Sequence, residues 1–157
     1  MKPRVYLETT IPSYLTAWPT RDLVMAAHQQ TTREWWETRR EDFDLFVSQF
    51  VIDEAGAGDA DAAARRLEAL ADVPLLDPGE NVYALAKELM DRVPFPANAA
   101  ADSVHIAIAT VHGVDYLLTW NCTHIANAAL RDRIEMVCRD CGYQPPVICT
   151  PEELVKE

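Results

Sequence analysis

The chain has 157 residues, of which 49% are hydrophobic and 25% are charged, and its formal net charge is −11 at pH 7. This composition predicts one globular domain over residues 1–157 and argues against a protein that grips nucleic acid over its whole surface. No apolar run is long enough to cross a membrane, and we expect no signal peptide. Four cysteines without an export signal predict a cytoplasmic protein with reduced thiols.

Five runs of strand-like composition alternate with helical patterns along the chain, and they cover residues 4–7, 45–47, 73–76, 115–120 and 147–149. Strands that alternate with helices pair mostly in parallel, with helices covering both faces of the sheet. The predicted fold class is therefore α/β, a three-layer α/β/α sandwich with a mostly parallel five-stranded sheet.

Helix boundaries follow from capping residues. Thr20 is predicted to cap a long helix that runs to about residue 40. The inner face of that helix is expected to hold Val24, Ala27, Thr31 and Trp35. Ser48 and Asp59 are the predicted caps of the next two helices. Gly113 is predicted to end the helix that begins near Asp102.

Polar side chains stand where predicted strands end or on the helices that leave them, namely Glu8, Glu54, Asp102, Asn121 and His124. In an open α/β sheet, ligands bind outside the carboxyl ends of the strands. Packing carboxylates together is costly unless a cation compensates their charge, so without metal we expect them to disfavour one another's ionisation. Oxygen ligands suit Mg²⁺ or Mn²⁺, and such a site suits phosphodiester hydrolysis by a metal-activated water.

The same residues also have structural interpretations. Asp102 is placed to interact with a helix dipole, and Glu54 is placed on a solvated helix face. Asn121 and His124 are common turn formers. Spacing does not decide between the two interpretations.

The cysteines offer a different kind of site. Cys138-x-x-Cys141, taken with Cys122 and His124, contains the residue types of a zinc site. The spacing between the two halves matches no common zinc finger, and the acidic site needs the same loop.

Aromatic and basic residues allow further alternatives. His105 and His112 are expected to be packed or solvated rather than catalytic. Trp18, Trp35 and Trp36 are able to stack on bases, but tryptophans around a long helix are more typical of a core or an oligomer interface. The basic pairs are most simply solvated helix faces with some capacity for phosphate contacts, and they are Arg39–Arg40, Arg65–Arg66 and Arg131/Arg133.

Four motifs cover the chain almost end to end in a fixed order: V-Y-L-E-T-T with I-P-S-Y-L, then V-I-D-E, then A-D-S-V-H-I-A-I-A, then Y-L-L-T-W-N-C-T-H-I-A-N-A. With these motifs the chain resembles PIN-domain proteins, the family that includes the VapC-like toxins of prokaryotic toxin–antitoxin pairs. The resemblance implies a PIN fold and a ribonuclease (a hydrolase) that uses Mg²⁺ or Mn²⁺. It also implies an RNA substrate, a cognate antitoxin protein as partner and a homodimer.

The resemblance also implies roles for individual residues. The residues that match the family's metal-binding and catalytic positions are Glu8, Glu54, Asp102 and Asn121. Thr9 matches a hydroxyl beside the first acid, and His124 matches a position that is often Asp or His. The chain departs from the family pattern twice, because Glu8 is one methylene longer than the usual Asp and Asn121 is neutral. Both departures would weaken metal binding, so the alternative is a catalytically impaired PIN module that binds a protein partner or RNA.

Overall fold

The structure is a computed structural model that describes residues 1–155. Its sheet consists of β1 (Arg4–Leu7), β2 (Asp44–Ser48), β3 (Leu75–Leu76), β4 (Tyr116–Leu118) and β5 (Val147–Cys149). All four pairings are parallel, in the order β3-β2-β1-β4-β5. In the register, Val5 of β1 lies between Leu45 and Tyr116. The predicted parallel five-stranded sheet is confirmed, although three of its strands have different ends.

The helices are α1 (Thr10–Thr16), α2 (Leu23–Thr38), α3 (Gln49–Ala55), α4 (Ala60–Ala69), α5 (Glu80–Arg92), α6 (Ala100–Val111), α7 (Ala128–Asp140) and α8 (Pro151–Leu154). Short 3-10 turns occupy Arg40–Asp42 and Ala97–Ala99. The helices pack in two groups, since α1 contacts α2 and α4 and α2 contacts α8, whereas α5 contacts α6 and α7. The α/β/α class predicted from the sequence is confirmed. Within residues 1–155, no helix combines the length and the apolarity needed to span a membrane.

The central strand β1 is buried on both faces. Val5, Tyr6 and Leu7 are each 0% exposed. Strands covered on both faces lack the alternation of a half-exposed strand, which is why this segment reads as continuously apolar. Ile106 and Ile108 of α6 are also fully buried and belong to the same core cluster. The core therefore contains β1 and the middle of α6.

The predictions for α2 were partly wrong. Asp22, not Thr20, caps the helix, because its side chain accepts a hydrogen bond from the Met25 amide. The predicted inner face is also rotated, since Val24 is 65% exposed and the buried residues are Gln29, Thr32 and Trp35. The polar members of this face have partners: Thr32 Oγ1 accepts from Trp120 Nε1 at 2.7 Å, and Gln29 bonds to the backbone of Trp18 and Thr20. Satisfied polar groups are tolerated in a core, and apolar periodicity does not detect them.

The caps of the following helices agree with the prediction. Ser48 accepts from the Val51 amide and Asp59 accepts from the Ala62 amide. Gly113 directly follows His112, the C-cap residue of α6, and adopts a φ of +66°, a conformation that glycine takes without steric cost.

Candidate active site

The candidate site lies at the carboxyl ends of three neighbouring parallel strands, β2, β1 and β4. Glu8 directly follows β1, and Thr119 directly follows β4. β2 leads into α3, which carries Glu54 near its end, and Asp102 is the third residue of α6. Because parallel strands end at one edge of the sheet, residues far apart in the chain meet there.

Glu8 is nearly buried, with 5% of its surface exposed. Its Oε1 accepts hydrogen bonds from Thr10 Oγ1 at 2.5 Å, from the Thr10 amide at 3.2 Å and from Thr119 Oγ1 at 2.6 Å. Within the described residues, no hydrogen bond reaches Oε2. The carboxylate is thus fixed through one oxygen, and its second oxygen is left for a ligand.

Glu54 is held in the same one-sided way. Its Oε1 accepts from the Thr9 hydroxyl and bonds to His105 Nε2 at 2.7 Å, and no described group bonds to its Oε2. Burial raises the pKa of Glu54, but the hydrogen bond and the electrostatic interaction with His105 and the hydrogen bond from the Thr9 hydroxyl lower it, and the net shift of the pKa is downward. The expected mutual suppression of ionisation is therefore wrong for Glu54, because a histidine stands beside the carboxylate.

His105 belongs to this cluster, and the prediction that it is merely packed or solvated was incomplete. Its side chain is 1% exposed, and its Nδ1 shares a hydrogen bond of 2.7 Å with the Tyr6 hydroxyl. Burial raises the pKa of Tyr6, so its phenol stays protonated at neutral pH. A sequence signal existed, since His105 follows Asp102 by three residues in a segment that is otherwise almost entirely apolar.

Asp102, Asn121 and His124 form a second cluster. Asp102 Oδ1 accepts from Asn121 Nδ2 at 3.0 Å, and Asp102 Oδ2 bonds to His124 Nδ1 at 2.7 Å. Asn121 Oδ1 in turn accepts from the His124 amide at 3.0 Å. Thr119 links the two clusters, because its hydroxyl donates to Glu8 and accepts from the Asn121 amide at 2.9 Å.

The structure therefore divides the predicted site residues into two neighbouring groups at one edge of the sheet. Glu8 and Glu54 lie close together, with Thr9 donating to Glu54, and Asp102 is hydrogen-bonded to Asn121 and His124. Every predicted residue is at this edge, but both oxygens of Asp102 already have partners.

A family comparison decides the identity of this fold. The model of the PIN domain family matches residues 21–121, about two thirds of the chain. The chain belongs to the PIN-domain family. The matched region includes Glu54, Asp102 and Asn121, while Glu8 and His124 lie outside it. PIN domains are generally nucleases.

A solved structure gives independent support for the PIN fold. The crystal structure of VapBC2 from Rickettsia felis bound to a DNA fragment from their promoter is similar over 94% of this chain and 98% of that chain, with a TM-score of 0.59 and 13% identity. At this identity the likeness concerns the fold alone, and it agrees with the predicted PIN-like fold. No curated protein sequence matches this chain.

The PIN site has a donor set that fits a divalent cation. One potential ligand atom from each of Glu8, Glu54 and His105 lies within 4.8 Å of the others, and this is the one such group among residues 1–155. The free Oε2 atoms of the two glutamates are hard oxygen donors, which Mg²⁺ and Mn²⁺ prefer. Asp102 and Asn121 are not members of that group, so in this geometry they would contact a cation through water.

The zinc site considered from the sequence does not form among the described residues, and His112 lies outside the PIN site. Across the described part of the chain, Cys138, Cys141, Cys122 and His124 do not converge on one point as zinc ligands would. Burial raises the pKa of Cys138, which disfavours the thiolate that zinc binds. His112 is separate from the site and bonds to the Asp77 carbonyl at 2.5 Å.

The tryptophans and arginines lie in different environments. Trp35 is fully buried, whereas Trp36 lies under the guanidinium of Arg40 at 4.1 Å from the ring centroid. Trp18 is 72% exposed and has the Arg65 guanidinium 4.8 Å from its ring centroid. Trp18 is therefore mostly exposed to solvent, whereas Trp36 is half-buried.

Proposed function

We propose that this protein is a divalent-metal-dependent endoribonuclease of the VapC-like toxin type. The observation that carries the proposal is the paired arrangement of Glu8 and Glu54. Each carboxylate is fixed through Oε1 by protein donors, and among residues 1–155 no hydrogen bond reaches its Oε2. Two carboxylates held in this way are preorganised for a cation, because they need not rearrange to bind it.

Glu8 and Glu54 would hold Mg²⁺ or Mn²⁺, with Asp102 and Asn121 completing the site at its other side. When bound, the cation supplies a nucleophilic water near neutral pH and neutralises charge on the phosphodiester. Thr9, which donates to Glu54, keeps that carboxylate oriented. His124 is oriented by Asp102 and presents its ring to the same edge.

A non-catalytic PIN module that binds a protein partner or RNA is the second candidate. It is favoured by the engagement of both Asp102 oxygens by Asn121 and His124. Asn121 also brings no charge to the cluster. A cation bound by Glu8 and Glu54 alone would be held less tightly than by three open carboxylates.

We also propose that residues 1–157 form one domain, that the protein acts in the cytoplasm as a homodimer, and that a cognate antitoxin neutralises it. The fold likeness to VapBC2 supports an antitoxin as partner. A homodimer is supported by apolar side chains that face solvent near the start of α2, where Trp18, Leu23 and Val24 are 72%, 86% and 65% exposed.

The test is metal-dependent RNA cleavage by the wild type and by Glu8→Gln. Glutamine keeps an oxygen for Thr10 and Thr119 but replaces the open Oε2 with an amide nitrogen, so the fold is preserved while a ligand is removed. We expect cleavage of mixed RNA in Mg²⁺ or Mn²⁺, none in EDTA, and a loss of about 10²-fold or more in the variant.

Glu37→Gln, at an exposed position of α2, is the matched control and should cleave like the wild type. Equal cleavage with metal and with EDTA would contradict metal dependence. A folded wild type that cleaves no RNA in either metal would support the non-catalytic module.

A further inference from the structure

We propose that His105 is a positioning residue, held by Tyr6 and Ser48, that fixes the Glu54 carboxylate for metal binding. This inference rests on the proposed metal site. The buried residues behind that site form a continuous hydrogen-bonded chain. The Val51 amide donates to Ser48 Oγ at 3.4 Å, Ser48 Oγ and the Tyr6 hydroxyl are 2.7 Å apart, and Tyr6 reaches His105 Nδ1 at 2.7 Å.

The donors and acceptors of this chain balance with a neutral imidazole. The Ser48 hydroxyl donates to Tyr6, the Tyr6 hydroxyl donates to Nδ1 of His105, and Nε2–H donates to Glu54 Oε1. The side chains of Ser48, Tyr6 and His105 then each both accept and donate a hydrogen bond, so their polar atoms all have partners. Tyr6 thereby selects the tautomer that donates to Glu54.

The burial of the chain makes this geometry rigid. Tyr6 and Ser48 are 0% exposed and His105 is 1% exposed. A buried hydrogen bond is costly to leave unmade, so the ring has one favourable orientation. The chain joins β1, the end of β2 and α6, and through Glu54 it also joins α3, whose first turn Ser48 caps.

His105 acts through Glu54 rather than as a ligand of its own. Both ring nitrogens already have protein partners, because Nδ1 bonds to the Tyr6 hydroxyl and Nε2 bonds to Oε1 of Glu54. Partners that hydrogen-bond a ligating carboxylate typically change metal affinity by about 10–100-fold when they are removed.

The experiment measures Mn²⁺ affinity by calorimetry for His105→Leu, His105→Gln and Tyr6→Phe. Leucine removes the donor to Glu54, whereas the glutamine amide is able to replace Nε2–H. We expect affinity to fall about 10-fold or more in His105→Leu and Tyr6→Phe, and to stay within about 3-fold of wild type in His105→Gln. Tyr116→Phe makes the same change in the adjacent strand β4 and should leave Mn²⁺ affinity unchanged.

Melting curves without metal identify variants that have lost the fold, and Tyr6→Phe provides a conservative test if His105→Leu unfolds. If folded Tyr6→Phe and His105→Leu bind Mn²⁺ as tightly as the wild type, the inference about His105 is overturned and the proposed metal site is not. A nitrogen coupling in the pulsed electron paramagnetic resonance spectrum of the Mn²⁺ complex, absent from His105→Leu, would also overturn it by making His105 a ligand. No Mn²⁺ binding by the wild type would overturn both the inference and the proposed metal site.

Discussion

The hydroxyl of Thr119 lies 2.6 Å from Oε1 of Glu8 and donates a hydrogen bond to it. The two residues are 111 positions apart in the chain and meet because β1 and β4 are parallel neighbours. The same hydroxyl accepts a hydrogen bond from the Asn121 amide. This one oxygen thus connects the glutamate pair to the Asp102 cluster.

Thr119→Val removes this connection with little change of shape. The variant should be destabilised by about 1–3 kcal/mol, because the Asn121 amide loses its acceptor. Its Mn²⁺ affinity should fall about 10-fold, because Glu8 loses one of its donors. Thr110→Val is the control, since Thr110 is also buried but bonds only within α6 and to Cys138. Denaturant titration and calorimetry measure both effects, and an unchanged Mn²⁺ affinity in Thr119→Val would contradict the link.

Asp102→Asn tests the second cluster. Asparagine keeps the size of the side chain and one acceptor oxygen, so stability should change by about 1 kcal/mol or less. If the negative charge serves the site, RNA cleavage should fall by about 10²-fold or more. Cleavage rates in Mn²⁺ are compared with melting curves of the same samples. Unchanged cleavage in the folded variant would remove Asp102 from the proposed site.

The lowered pKa of Glu54 predicts a dependence of stability on pH in the absence of metal. A carboxylate whose pKa is lower in the folded state contributes stability above its unfolded pKa of about 4.3, and this contribution is lost as the pH falls through the folded value. Glu54→Gln should therefore lose less stability than wild type when the pH is lowered from 5 to about 3. Urea denaturation in EDTA measures the difference, with Glu37→Gln as control. Parallel pH profiles for wild type and Glu54→Gln would contradict a lowered pKa of Glu54 in the folded state.

The Trp120 indole provides a test of the polar face of α2. Thr32→Val leaves Trp120 Nε1 buried without its acceptor, which should cost about 1–3 kcal/mol of unfolding free energy. Thr31→Val makes the same change one residue earlier, where the hydroxyl bonds only to the Ala27 carbonyl, and should cost much less. Denaturant titration compares the two variants. Equal losses would mean that the buried bond contributes nothing beyond the shared loss of a hydroxyl.

The exposed apolar residues at the start of α2 provide a test of the proposed homodimer. Val24→Glu should leave the folded monomer within about 0.5 kcal/mol of wild type, because Val24 is mostly exposed and an acidic residue is favourable in a first helical turn. The dimer should dissociate at concentrations where the wild type stays associated. Light scattering across micromolar concentrations measures this, with Met136→Glu, 45% exposed on α7, as control. A monomeric wild type would contradict the homodimer, and a dimeric Val24→Glu would place its interface elsewhere.

Local chemistry was sufficient to predict much of this fold. Ser48, Asp59 and Gly113 act as predicted because capping depends on a residue and its near neighbours. The alternation of strand and helix patterns predicted the parallel sheet for a similar reason, since each strand and helix is marked by the apolar residues within it. Motif order and the strand-end rule also predicted that Glu8 and Glu54 lie at one edge.

The arrangement within the site depended on contacts between distant parts of the chain. Tyr6 meets His105 across 99 positions, and Glu54 meets His105 across 51. These partners are set by strand order and by the direction in which each buried side chain points, and neither property has a local signal. The separation of Asp102 from the glutamate pair arose in the same way, because Asn121 and His124 occupy its two oxygens only after the loop beyond β4 packs against α6.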